Sequence, residues 1–385
     1  MIRFCRRCVM PETKPDLSFD AEGVCNACRN HENRDEVDWD LRRTELSEIL
    51  DRYRSVDGRT YDCVVPVSGG KDSTYQTVRM LELGLNPLCV TATTDMLSDI
   101  GRRNIDNLER LGVDHIEVTT NPVVRRRINR LALTQVGDIS WPEHVAIFTI
   151  PVRVAVQCRV PLIVWGENSQ NEYGGPAAAV EGRTLTRRWL EEFGGLLGLR
   201  VSDLVGNEGI ERRHLIQFTY PTDAELAAVG VTGIFLGHYL PWDGYANALY
   251  AQAHGFESLG RTIEGSLVDY ENLDNLQTGI HDYFKFLKYG FGRATDLACV
   301  HIRRGRLSRQ DALTLVRKHD GKFPWTYLGH PLEAILAEID VSLSEFQSIS
   351  DRFTNKRLFR CDHHGQLARD GLGNLTRVND DNLPG

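Results

Sequence analysis

The chain has 385 residues, 41% of them hydrophobic and 25% charged, and a formal net charge of −8. At roughly 150 residues per domain this is material for two or three domains with ordinary cores, which excludes disordered, collagen-like and low-complexity classes. The acidic balance argues against a surface built to hold long nucleic acid, whose phosphates call for an excess of Lys and Arg.

The chain opens with Met1-Ile2-Arg3-Phe4-Cys5-Arg6-Arg7-Cys8, which lacks the apolar stretch of a signal peptide, and no apolar run reaches the ~18 residues of a membrane span. Nine cysteines, an odd number, do not form a secreted disulfide framework. The expectation is a cytoplasmic protein with reduced thiols and no membrane partner.

Residues 1–33 form a separate module. Cys5 and Cys8 make one C-x-x-C pair, Cys25 and Cys28 another, with sixteen residues between the pairs. Two such knuckles supply four thiolates to one tetrahedral ion, leaving no position for water, so a structural zinc is expected, with an iron–sulfur centre as the competing occupant. Metal binding would supply the folding free energy of so small a segment. Nucleic-acid reading and protein docking both remain open as its role. Residues 34–60 then carry Leu41, Leu46, Ile49, Leu50 and Tyr53 at the spacing of one exposed linking helix.

A main domain is expected over 61–260. Apolar runs at 61–67, 88–93, 115–118, 162–165 and 234–236 alternate with helical patterns at 71–83, 99–111, 122–135 and 143–158. That alternation predicts an α/β fold, a doubly wound parallel sheet with helices on both faces. Residues 176–228 look like a mostly helical insertion, 261–360 like a helical C-terminal substrate or partner region, and 361–385 like a loose polar tail. Arg125, Arg126 and Arg127 suit a solvated helix face, and the later Cys89, Cys158, Cys299 and Cys361 suit small buried residues.

Ser68-Gly69-Gly70-Lys71-Asp72-Ser73 lies between the first strand and its helix. Two glycines let the backbone turn and aim N–H groups at an anion, and the helix N-terminus adds its positive end. Ser68 and Ser73 offer hydroxyls, Lys71 a charge and Asp72 a ligand for magnesium. The Walker A spacing is not met. Pro66, which cannot donate to a ladder, fits only the end of an inner strand.

The hexapeptide in this context resembles the PP-loop of the N-type ATP pyrophosphatases. The resemblance implies an ATP-binding fold of adenine-nucleotide α-hydrolase type, in which the loop holds the pyrophosphate part of ATP and AMP is transferred to a carbonyl or carboxylate oxygen. Four further features are similar to the N-acetyl sugar amidotransferases: the paired cysteines, Trp165-Gly166-Glu167-Asn168 with Glu172-Tyr173-Gly174-Gly175, Leu236-Gly237-His238-Tyr239 with Pro241-Trp242-Asp243-Gly244, and the block from Asp282 to Asp296. Membership would imply that ammonia replaces the acetamido oxygen of an N-acetylated surface sugar, giving an acetamidino group in O-antigen synthesis, with release of AMP and pyrophosphate. It would also imply companion proteins resembling a glutaminase and a cyclase as the ammonia source. The chain has no glutaminase signature of its own, and the absence of a paired cysteine after the loop lowers the competing tRNA-thiolation reading. A zinc-dependent scaffold with a regulatory ATP site is the remaining alternative.

The candidate residues follow. Lys71, Asp72 and Glu167 are expected at the chemistry. Ser68, Gly69, Gly70, Ser73, Thr94, Asp95 and Gly166 are expected on ATP with Mg2+, since ligands of open α/β sheets sit at the strands' carboxyl ends. Asn168, Glu172, Tyr173, Trp242, Lys285, Lys288 and Arg293 are candidates for the sugar. Trp242 equally suits the core, and the three cations an exposed helix face.

Overall fold

The computed structural model describes residues 2–167 and 196–378. Among them are five parallel strands, β1 (Cys63–Pro66), β2 (Pro87–Ala92), β3 (Asp114–Val118), β4 (Leu162–Trp165) and β5 (Thr232–Phe235), in the order β3-β2-β1-β4-β5. β1, β2 and β4 are buried almost throughout, because helices cover both faces and leave no side for polar residues. Pro66 is the last residue of β1, where its missing N–H does no harm. The chain reverses direction across the sheet between β1 and β4, which opens a crevice at their carboxyl ends.

Helices Lys71–Glu82, Asp99–Arg110, Pro122–Val136 and Trp141–Cys158 connect the first four strands. The linking helix runs from Trp39 to Tyr53, capped by the Asp38 carboxylate, and buries Leu46 and Leu50. Asn168, Glu172, Tyr173 and the first part of the expected insertion lie outside the described residues. Its described remainder is built of short helical pieces: 3-10 helices at Val201–Leu204, Asn207–Gly209 and Arg212–Phe218, then the Asp223–Val229 α-helix.

The C-terminal region is helical, as its pattern predicts, with Thr278–Tyr289, Arg293–Arg303, Arg309–His319 and Leu343–Phe353 as its main helices. Its link to the sheet is a short backbone zipper. Leu97 pairs with Asn275, the Ser98 N–H donates to the Asp274 carbonyl (3.0 Å), and the Leu276 N–H donates to the Met96 carbonyl (3.0 Å). Gly101 makes this possible, since a Cβ there would lie 2.6 Å from Asp274 Cα. The tail is not loose as far as it is described. Bridges Phe359–Arg377, Cys361–Leu367 and Arg369–Leu375 fold it into paired turns, and Leu375 is buried in the core.

The cysteine segment packs on this C-terminal region. Cys5, Cys8, Cys25 and Cys28 share a cluster with Phe291, Cys299, Leu313 and Val316, and the Thr13 hydroxyl donates to the Tyr289 carbonyl. None of the described helices is long and apolar enough to cross a membrane.

Candidate active site and metal centre

The loop after β1 is shaped by its glycines. Gly69 has φ +78°, and a Cβ there would meet the Ile105 backbone N at 2.6 Å, so only glycine lets the loop lie against the Asp99–Arg110 helix. Gly70 is the N-cap of the next helix and has no side chain to occupy the first-turn amides. The Ser68 hydroxyl accepts from Gly70 N–H (3.4 Å), and Ser73 Oγ accepts from Ser68 N–H (3.3 Å). Donors, dipole and a buried ammonium thus meet at one anion-sized turn.

Lys71 is 7% exposed, and its Nζ lies 2.6 Å from Asp72 and 3.1 Å from Glu271. Burial alone would lower its pKa, but the two carboxylates outweigh burial and hold it above the ordinary lysine value. Asp72 also accepts from Asn247 Nδ2 at 2.9 Å.

This loop opens into a cavity of about 390 Å³ whose remaining lining includes Glu143, His144, Glu271, Asp274, His281 and Arg293. The zipper at Leu97–Asn275 delivers Glu271 and Asp274, while the turn after Gly137 starts the helix carrying Glu143 and His144. Asp138 is 3% exposed, and His281 Nδ1 donates to its Oδ1 at 2.8 Å, with His144 Nδ1 3.3 Å from Oδ2. Burial would raise the Asp138 carboxyl, but the His281 and His144 imidazoles outweigh it and hold the group well below the usual carboxylate range. Glu143 behaves in the opposite way: burial, with Asp274 adding to it, pushes it up to about 7.

The candidates from sequence fall into three groups. Ser68, Gly69, Gly70, Lys71, Asp72, Ser73 and Arg293 line the cavity together. Arg293 is fixed by Asp282 through Nη2 (2.9 Å) and Nε (3.2 Å). Gly166 and Glu167 follow β4, partly buried, outside that lining. Four side chains are engaged elsewhere. Asp95 is tied to Arg125 at 2.8 Å beside buried Thr94. Trp242 is 2% exposed and packs edge-on against Tyr75, so it is a core side chain and not an open stacking face. Lys288 donates to the Val136 and Gly137 carbonyls (2.8 and 3.0 Å), capping a helix end rather than facing a ligand. Lys285 pairs with Asp296 over the Phe291 ring.

Two further expectations are corrected. Arg125 is 1% exposed and pairs with Asp95, so it lies on the inward side of its helix and is not part of a solvated face. Cys89 and Cys299 are buried, and burial pushes the Cys89 thiol up to about 12, but Cys158 in a final helical turn and Cys361 in the terminal turns are exposed.

The four N-terminal cysteines converge. Cys5 Sγ lies 3.9 Å from Cys28 Sγ, Cys8 Sγ lies 3.8 Å from Cys25 Sγ, and all four sulfurs are within 4.8 Å of one another. A tetrahedral ion with Zn–S bonds of ~2.3 Å needs sulfur separations of about 3.8 Å. The buried donor set therefore fits a closed structural site for a metal such as zinc.

A doubly wound parallel sheet, a glycine loop at its switch point and a polar cavity beneath a helical cap define an α/β protein with a ligand site at the strands' carboxyl edge. The particular relationship comes from the cap. Residues 264–370 match the family described as the C-terminal domain of WbpG-like LPS biosynthesis proteins. No curated protein matches the chain. The match begins just before Tyr270 and contains Glu271, Asp274, His281 and Arg293, so the family's region supplies one wall of the cavity.

Proposed function

We propose that the protein is an ATP-dependent, AMP-forming amidotransferase that converts the acetamido group of an N-acetylated sugar into an acetamidino group during surface-polysaccharide synthesis. The observation that carries this reading is one shared cavity. The Ser68–Ser73 loop and residues of the WbpG-like region line the same space, so a nucleotide's phosphates and a sugar can be held side by side.

The loop amides, Ser68, Ser73 and Lys71 would bind the triphosphate, and Asp72 would hold magnesium, which neutralises charge on the departing pyrophosphate. Arg293 and Asn272 would orient the sugar from the opposite part of the chain. An amide oxygen is a poor leaving group, and adenylation converts it into AMP, which departs readily. Ammonia would come from a glutaminase- and cyclase-like companion pair. The cysteine module would fix the cap through its packing on Phe291 and Leu313.

The test is a product assay with full-length protein, magnesium ATP, ammonium and a panel of UDP-linked diacetamido sugars. AMP, pyrophosphate and a sugar in which NH replaces O support the reading. Sugar-dependent ADP overturns the adenylation step. AMP formed only with tRNA and a sulfur donor favours thiolation instead.

A further inference from the structure

The cavity contains a second device that phosphate binding does not use. Asp138, at the turn between two helices of the sheet layer, and His281, on the first long helix of the WbpG-like region, meet through a 2.8 Å hydrogen bond. The Asp138 carboxylate is also fixed by the Ser140 N–H at 3.0 Å. Its Oδ1 accepts the hydrogen bond from His281 Nδ1–H, which leaves Nε2 of that ring to accept a proton from the cavity. His144 stands edge-on to His281, with ring centroids 5.1 Å apart, and both rings line the cavity.

We propose that His281, oriented by Asp138, is the proton-transfer residue of this cavity; the inference rests on the amidotransferase reading. The chemistry requires such a group. When an amide oxygen attacks the α-phosphorus, the O–P bond forms and pyrophosphate leaves with the electron pair of the broken P–O bond. The neutral O-adenylyl imidate results only if the N–H proton is removed, and His281 accepts it. Ammonia then adds to the imidate carbon, and His281 returns the proton to the former amide nitrogen. As AMP leaves with the C–O electron pair, one ammonia proton passes to His281 and out to solvent, where pyrophosphate takes it up. The products are amidinium, AMP and protonated pyrophosphate, and no redox partner is needed. Glu143, which shares the cavity, is the rival base.

The experiment uses the full chain with magnesium ATP, ammonium and a UDP-linked diacetamido uronic acid. H281A is expected to lower AMP formation on the order of 10²–10⁴-fold, the usual range for a general base, with added imidazole restoring part of it. D138N, a positioning variant, is expected to lower kcat while KM for ATP stays unchanged. Magnesium ATP binding, followed by calorimetry, should persist in both variants, which separates lost chemistry from lost folding. H281A turning over like the wild type, or E143Q alone abolishing AMP formation, overturns the assignment and leaves the amidotransferase reading intact. A second metal equivalent beyond that of the cysteine site, lost in D138N and H281A, overturns it in favour of a His–Asp metal centre. No AMP from the wild type with any N-acetylated sugar overturns both.

Discussion

Lys71 Nζ lies 3.1 Å from Glu271 Oε1, joining the glycine loop to the WbpG-like region by a buried ion pair. Under the proposed function, an arriving triphosphate would compete with Glu271 for that ammonium. E271Q should therefore bind magnesium pyrophosphate more tightly, by about 5-fold or ~1 kcal/mol, whereas K71M should weaken it at least as much. Isothermal titration with inorganic pyrophosphate checks both directions.

Glu143 makes stability depend on pH. A glutamate ordinarily titrates near pH ~4.3, but burial, with Asp274 adding to it, pushes this one up to about 7. Between those values the folded state keeps a proton that the unfolded chain has released, so stability declines as pH rises through the window. E143Q mimics the protonated form. It should match the wild type near pH 4.5 and exceed it at pH 8 by on the order of 1–3 kcal/mol, read from urea midpoints.

The four sulfurs should hold one metal equivalent. C25S is expected to lose it, and the loss should reach the C-terminal helices, because Cys25 packs in one cluster with Phe291, Leu313 and Val316. Metal analysis, with proteolysis at residues 293–319, reads the effect. Unchanged proteolysis in metal-free protein would show that the cap stands without the module.

Lys288 should matter for stability and not for the sugar. Its ammonium caps the carbonyls of Val136 and Gly137. K288M is expected to cost about 1 kcal/mol and to leave KM for the sugar where it was. A raised KM would return Lys288 to the ligand.

The strands and connecting helices were legible because parallel α/β units impose alternating patterns on the sequence, and β1, β2 and β4 follow them to within two residues. The cysteine pairs were legible because two C-x-x-C knuckles carry their spacing in the sequence, and the fold brings their four sulfurs to within 4.8 Å of one another. The cavity's far wall was not. Asp138, Glu143, Asp274 and His281 come from separate segments that meet only when the Leu97–Asn275 zipper and the helix after Ser140 are in place. Local spacing carries no trace of that meeting. The segment that resembles the amidotransferases begins at Asp282, one residue after His281. Trp242 and Lys288 stayed open between two readings for a related reason. A Trp in a Pro- and Gly-rich turn, or a Lys on an amphipathic helix, has the same sequence whether it meets solvent, a ligand or a carbonyl.

The docking of the cysteine segment on residues 291–316 has a consequence for biosynthesis. The sulfur donors leave the ribosome before the surface they rest on, which emerges only after some 260 more residues. At ~5–20 residues per second that interval is about 15–50 s. During it, the nascent chain carries thiols that can take metal without the neighbours that bury them. If the cluster takes up a metal, its supply during translation, and protection of those thiols from oxidation, would decide how much of the newly made protein reaches its finished form.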